Sequence, residues 1–284
     1  MKANFISKSE VKNILDNKNY KLLQGDCLEL MKDIPDKSID MILCDLPYGT
    51  TQCKWDSVIP FEPLWEQYNR IIKDNGAIVL FSNQPFTTDL INSNREMWKY
   101  EIIWKKNTCT GSLLAKKRPM KQYESLEVFY KKQPTYNPQK IKRTEEELKR
   151  LSKKSVKTNG TDIQKFGGMT LNRYDNLYKM PSNVIEFDAV FNRSKEKTPH
   201  PTQKPVELLE WLIKTYTNEN ETILDNCMGS GSTGVAALNL HRKFIGIELD
   251  KKYFEIAKER IEKVARYPEG FDVKRANHRA EGDV

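Results

Sequence analysis

The 284 residues, 38% hydrophobic and 30% charged, can bury one substantial core with room for a smaller appended unit. No apolar run approaches the roughly 20 residues of a membrane span, Met1-Lys2-Ala3-Asn4 opens no signal-peptide core, and the five scattered cysteines (Cys27, Cys44, Cys53, Cys109, Cys227) and three histidines argue against a disulfide framework or a metal centre and for a reducing cytoplasm. The net charge of +8 is unevenly placed: Lys105–Lys157 holds 16 Lys/Arg against 5 Asp/Glu, so the rest of the chain sums to −3. Such a segment fits a polyanion footprint, with a solvated lysine-rich surface as the alternative.

In chain order, Ser7-Lys8-Ser9-Glu10 has capping-box spacing and predicts a short helix to about Asn17. Tyr20–Gly25 predicts a strand, followed by an amphipathic helix over Cys27–Ile34. Ile39–Cys44 is a mostly apolar strand that runs directly into Asp45-Leu46-Pro47-Tyr48-Gly49. A helix over Pro63–Ile72, a buried-type strand over Ala77–Phe81 and a helix over Thr87–Ser93 come next. The strands Tyr100–Trp104 and Ser125–Tyr130 flank a basic loop. Strands alternating with helices imply an α/β fold, a parallel sheet with helices on both faces. From Lys131 to Lys197 Lys, Asn, Thr and Gly dominate, and the one regular signal is the capping box Thr144-Glu145-Glu146-Glu147, opening a charged helix to about Lys154. That stretch has the character of a poorly cored insertion. The α/β pattern resumes at Thr202: an apolar stripe (Val206, Leu208, Leu209, Leu212, Ile213, Tyr216), a strand over Thr222–Asp225, a helix over Thr233–Leu240, a strand over Phe244–Glu248 and a helix over Tyr253–Val264, before the polar tail Ala265–Val284.

Gly229-Ser230-Gly231-Ser232-Thr233-Gly234 lies between a strand and a helix. Glycines there permit a tight turn and close approach by a ligand, and the helix start offers unpaired N–H donors. Asp225 and Ser232 border the same loop. Glu248 ends the next strand about 20 residues on, where a carboxylate can accept both hydroxyl hydrogens of a ribose. Strand, loop, helix, strand and acid in this order indicate an adenosine-containing cofactor. A nicotinamide enzyme would continue with further strand–helix units after the acid, whereas one helix and a tail remain here, so that reading stands second.

Asp45 to Tyr48 sit at the carboxyl end of a buried strand, where open α/β sheets bind ligands. An exocyclic amine on adenine or cytosine is a poor nucleophile because its lone pair is delocalised into the ring. Two acceptors holding its two hydrogens can turn that lone pair toward an electrophile: the Asp45 carboxylate and the Leu46 carbonyl, the latter fixed by Pro47. Tyr48 offers a face on which an extruded base could stack. A turn in which Asp caps and Pro-Tyr packs is the alternative.

On these residues the chain resembles the amino-methyltransferases of DNA, which carry an Asp/Asn/Ser-Pro-Pro-Tyr/Phe turn and a glycine-rich cofactor loop. The turn precedes the loop, with a basic variable region between them, as in the permuted β group of that family, and the likeness covers residues 20–265. The glutamine methyltransferases of release factors have the opposite order. The resemblance implies a Rossmann-like, permuted, seven-stranded and mostly parallel sheet, S-adenosylmethionine as donor, and flipping of a base out of duplex DNA. Residue by residue, it implies Asp45, Leu46, Pro47 and Tyr48 as the catalytic turn, with Leu46 in place of a proline. It also implies Gly229, Gly231, Ser232 and Gly234 as the cofactor loop after Asp225, Glu248 as the ribose acid, and Asp26 near the adenine amino group. Asn226 and Cys227 stand where Pro and Phe are usual. His200-Pro201-Thr202-Gln203-Lys204-Pro205 matches the family's His-Pro-x-x-Lys-Pro segment, implying Thr202 and Lys204 at the methionine carboxylate; ordinary helix capping is the other account.

The implied organisation is a catalytic half (1–132), a target-recognition insertion (133–198), a cofactor half (199–265) and a tail (266–284). Phosphate contacts are expected from Lys116, Lys117, Arg118 and Lys121 and from the 142–157 segment. Asp at the head of the turn favours N6 of adenine over N4 of cytosine; an inactive DNA-binding relative of the same fold is the other class. No membrane and no metal are expected as partners, and assembly into a homodimer stays open. If Leu46 acts through its carbonyl alone, proline there should be tolerated.

Overall fold

In the computed structural model of the chain the described residues are 19–49, 57–153, 177–191, 194 and 196–266. They divide into two compact units, one with the residues up to Asn137 and from Asn183 onward, the other within Pro138–Ser182. The elements are β1 (Tyr20–Gln24), α1 (Cys27–Met31), β2 (Ile39–Cys44), α2 (Phe61–Ile71), β3 (Ile72–Ser82), α3 (Phe86–Ser93), β4 (Trp98–Thr110), β5 (Lys121–Phe129), β6 (Ile141–Lys142), α4 (Glu145–Lys153), β7 (Tyr178–Lys179), β8 (Val184–Glu186), α5 (Val206–Tyr216), β9 (Thr222–Asp225), α6 (Ser232–Asn239), β10 (Lys243–Glu248) and α7 (Lys251–Arg266).

The sheet of the larger unit has the order β1-β10-β9-β2-β3-β5-β4-β8. Neighbours from β1 to β3 are parallel, β5 is antiparallel to both β3 and β4, and β8 is parallel to β4. Strands of a parallel sheet are covered on both faces, which is why β2 is almost continuously apolar. Alternate residues serve opposite layers. Met41 and Leu43 pack with Leu208, Leu212, Ala236 and Ile261 of α5, α6 and α7. Ile42 and Cys44 pack with Leu64, Tyr68, Phe86 and Leu90 of α2 and α3. The one acid within β2 has a job of its own: Asp40 pairs with Lys73 at 2.6 Å and accepts from Thr222 N at 2.9 Å, which pins β9 alongside β2.

The seven strands expected of this fold are joined by an eighth. β8 comes from the stretch assigned to the insertion, yet it pairs with β4 from Ile103↔Val184 to Lys105↔Glu186. β4 and β5 also extend past Tyr100–Trp104 and Ser125–Tyr130 as a ribbon whose connection holds a 3₁₀ turn at Ser112–Leu114. Residues beyond Lys105 are mostly exposed there, so no apolar alternation marks them as strand. α1 stops at Met31 rather than Ile34, because Lys32, Asp33 and Ile34 donate to the third residue back ahead of Pro35. α7 starts two residues earlier than Tyr253, since Asp250 Oδ1 caps Lys252 N at 2.8 Å and Tyr253 N at 3.1 Å.

In the smaller unit the capping box forms as the sequence predicts. Glu147 N donates to Thr144 Oγ1 at 3.3 Å while Glu147 Oε2 accepts from Thr144 N at 2.9 Å. Glu147 also pairs with Lys179 at 2.6 Å, tying α4 to the β6–β7 pair. The Ser7–Glu10 capping box with its helix, and the tail beyond Arg266, lie outside the described residues.

Candidate active site

Four neighbouring parallel strands, β1, β10, β9 and β2, bring one acid each to the carboxyl edge of the sheet: Asp26 after β1, Glu248 at the end of β10, Asp225 at the end of β9 and Asp45 after β2. Two distant stretches of sequence therefore share one rim. A cavity of about 330 Å³ opens there, with Asp26, Asp45, Tyr48, Thr202, Gly229 and Glu248 in its wall; that is enough for a small ligand.

On the glycine side, Glu248 Oε2 accepts from Gly229 N and Oε1 from Asp250 N, both at 2.8 Å. Burial lifts its carboxyl above the ordinary glutamate value despite these bonds. Asp26 caps α1, accepting from Leu28 N at 2.8 Å and Glu29 N at 3.3 Å. Asp225 is buried and accepts from Cys227 N at 3.1 Å, and its pKa is pushed up to about 7, chiefly by burial. Ser232 sits under Arg260, which holds its Oγ at 3.2 Å, and Thr202 N donates to His200 Nδ1 at 3.3 Å. Of the three glycines Gly229 lines the cavity; a β-carbon on it would come within 2.9 Å of His200 Nε2. Gly231 and Gly234 serve helix packing instead, since β-carbons there would meet Ala257 at 2.9 Å and Phe244 at 2.7 Å.

His200 stands on edge to the Tyr253 ring at 4.5 Å between centroids, and burial pushes its pKa down to about 4. At neutral pH it is an uncharged wall. Asn226 is buried and accepts from Tyr68 Oη at 2.5 Å, which joins α2 to the end of β9. Asn226 Nδ2 in turn donates to Cys227 Sγ at 3.6 Å.

On the other side of the cavity Tyr48 Oη donates to Asp45 Oδ1 at 2.5 Å, and the Tyr48 ring lies 5.0 Å from Phe86. Asp45 Oδ2 accepts from Lys204 Nζ. Lys204 is 3.5 Å from Glu124 Oε2 and lies over the Phe81 ring, and Glu124 Oε1 accepts from Lys106. Burial opposes the charge on Lys204, but Asp45 and Glu124 outweigh it and hold its pKa above the usual lysine value. The ammonium thus lies against the Asp45–Tyr48 turn. Sequence reasoning missed Glu124 and Lys106, whose Glu-Ser-Leu-Glu and Lys-Lys surroundings carry no signal without the β4–β5 register that sets Glu124 opposite Trp104.

Leu46 corrects one expectation. It is only 3% exposed and packs in the layer with Cys44, Leu64 and Phe86. Its side chain is therefore structural. Leu46→Pro is expected to lower stability by about 1–3 kcal/mol, as for other large-to-small core changes, while turnover per folded molecule stays within a few-fold; thermal melts and rates on the same preparation check both parts.

Lys116, Lys117 and Arg118 are exposed just after the 3₁₀ turn and do not line the cavity. Lys121 differs from them, for its ammonium reaches Asn83 Oδ1 and lies over the Tyr123 ring at 5.0 Å. Because Ser82, the last residue of β3, pairs with Ser125, the ribbon beyond Glu124 projects past the edge that carries Asp45. Among the described residues no group of three or more His, Cys, Asp or Glu could hold a metal ion, and no helix is long and apolar enough to cross a membrane.

Comparison with known proteins agrees with this geometry. A model of the DNA methylase (N6/N4) family matches residues 39–259. The chain is 29% identical over 265 residues to the DNA adenine methyltransferase YhdJ of Escherichia coli, covering 88% of this chain and 85% of that protein. Among solved structures it is similar to the M1.HpyAVI–SAM complex, with TM-score 0.58, 26% identity, and 85% of this chain and 98% of that one covered. It also shares a fold with the cytosine-N4-specific PvuII DNA methyltransferase, at TM-score 0.60 and 16% identity, with 88% and 93% covered.

Proposed function

The chain belongs to the DNA methylase family and is an S-adenosylmethionine-dependent DNA methyltransferase, and from that premise we propose that it methylates the N6 amino group of adenine at a specific site in duplex DNA, after flipping the base out of the helix. The observation that carries the reading is the shared rim: Asp45, just after β2, and Glu248, at the end of β10, face one cavity, with β9 alone between the two strands in the sheet. Similarity to YhdJ, named as an adenine enzyme, and aspartate at the head of the turn both favour adenine.

Bound in the cavity, S-adenosylmethionine supplies an electrophilic methyl on a positive sulfonium. The residues fit such a guest. Glu248 offers its carboxylate to ribose hydroxyls, Asp26 lies at the adenine end, and Gly229 leaves the wall open where a side chain would collide with His200. Thr202 serves the methionine end. Asp45 and the Leu46 carbonyl take the two hydrogens of the base amino group, pointing its lone pair at the methyl and holding the positive charge that grows on nitrogen. Pro47 stiffens the turn, and the Tyr48 ring, backed by Phe86, is a face for the flipped base. Lys116, Lys117 and Arg118, on the ribbon past the catalytic edge, neutralise phosphates, and the unit within 138–182 reads the base edges. Modification-sensitive sequencing of DNA from cells expressing the chain is expected to find N6-methyladenine at one short motif. N4-methylcytosine there would favour the cytosine reading, which the fold shared with the PvuII enzyme keeps in view. Absence of both marks would sink the proposal.

A further inference from the structure

Lys106, Glu124, Lys204 and Asp45 form a line of alternating charges, each within ion-pair distance of the next. The three members behind Asp45 have side chains only 14%, 13% and 11% exposed. Both oxygens of Asp45 are already engaged, one by Tyr48 and the other by Lys204. An acid tied to an ammonium presents little net charge to an amine that must turn positive during methyl transfer, and the ammonium itself repels that charge. The lysine needs somewhere else to go. Glu124 Oε2 is buried, has no hydrogen-bond partner among the described residues, and lies 3.5 Å from Lys204 Nζ. A shift of about 0.6 Å would close that gap to an ordinary N–H···O distance.

We propose that Glu124 is a positioning residue for methyl transfer, whose Oε2 receives the Lys204 ammonium as the base amino group engages Asp45, so that Asp45 opposes the positive nitrogen with its full charge. The inference rests on the transferase reading above and adds a residue that touches neither base nor donor. A purely structural cluster would depend on each ion pair alike. The proposal separates them: Lys106 competes with Lys204 for Glu124, so losing Lys106 strengthens the pull that losing Glu124 abolishes.

The test measures single-turnover transfer of tritiated methyl to unmethylated phage DNA, with donor affinity by calorimetry on the same preparations. Glu124→Gln is expected to slow transfer about tenfold to a hundredfold with donor affinity unchanged. Glu124→Asp, which keeps the carboxylate, is expected to recover most of the rate, and Lys106→Met to stay within about threefold of the unaltered protein. A full rate in Glu124→Gln overturns the proposal, as does a Lys106→Met loss as large as that of Glu124→Gln. If Glu124→Gln cannot bind donor, the comparison passes to the other two variants: a rate for Lys106→Met below that of Glu124→Asp overturns it. Failure of the unaltered protein to methylate DNA is a different result and counts against the proposed function instead.

Discussion

Asp45→Ala is expected to lose about a thousandfold or more of methyl transfer, the scale seen when one charge-stabilising group is removed from a reacting centre, while the donor still binds. The Leu46 carbonyl alone cannot hold both amino hydrogens, so the lone pair stays in the ring and the growing positive charge meets no anion. The same change removes the nearest carboxylate from Lys204, whose ammonium is then left with Glu124. Some loss of stability accompanies it for that reason, because a buried ion pair broken on one side strands the other charge. Asp45→Asn is the cleaner variant, since it keeps the shape and one acceptor while removing the charge. Calorimetry with the donor and tritium incorporation into DNA measure the two parts separately. Turnover retained in Asp45→Ala would remove Asp45 from the chemistry, whereas turnover retained in Asp45→Asn alone would show that an acceptor suffices without the charge.

Glu248→Ala is expected to weaken donor binding about a hundredfold, roughly 3 kcal/mol for charge-assisted bonds to two hydroxyls. The loop suffers as well, because Gly229 N and Asp250 N lose their acceptors. Glu248→Gln retains one oxygen for those amides and separates the loop effect from loss of charge. Burial raises the Glu248 carboxyl, so as pH falls its charge, and the donor affinity that depends on it, disappears at a higher pH than for an exposed glutamate. Equal affinity for the alanine variant and the unaltered chain would count against the ribose role.

The Asp45 turn and the Gly229 loop were legible as neighbours of one cavity because each is a local pattern: an acid after an apolar strand, glycines between strand and helix. Their order along the chain pointed to the fold, and the sheet explains why that order works, with β2 and β9 paired side by side. Legibility ended where pairing partners decide. β8 is a Val-Ile-Glu edge that exists because β4 offers hydrogen bonds, and the ribbon beyond Lys105 has no buried face to mark it. Glu124 and Lys106 look like surface charges until Lys204 arrives from the segment just before α5 to lie between two acids. Leu46 was misjudged for a related reason, since a turn residue gives no hint that its side chain points into the layer below.

The pairing of β2 with β9 has a consequence for how the protein comes into being. Met41 and Ile223 are neighbours in the sheet although about 180 residues separate them in the chain, and Tyr20 meets Phe244 across a still longer interval. During synthesis the strands β1 to β5 must wait with one sheet edge bare until β9 and β10 have been made. Closures of this length are slow to find, and a bare edge invites pairing with other chains. Neither half of the rim exists without the other, so the cavity has no complete wall until β9 and β10 dock beside β2.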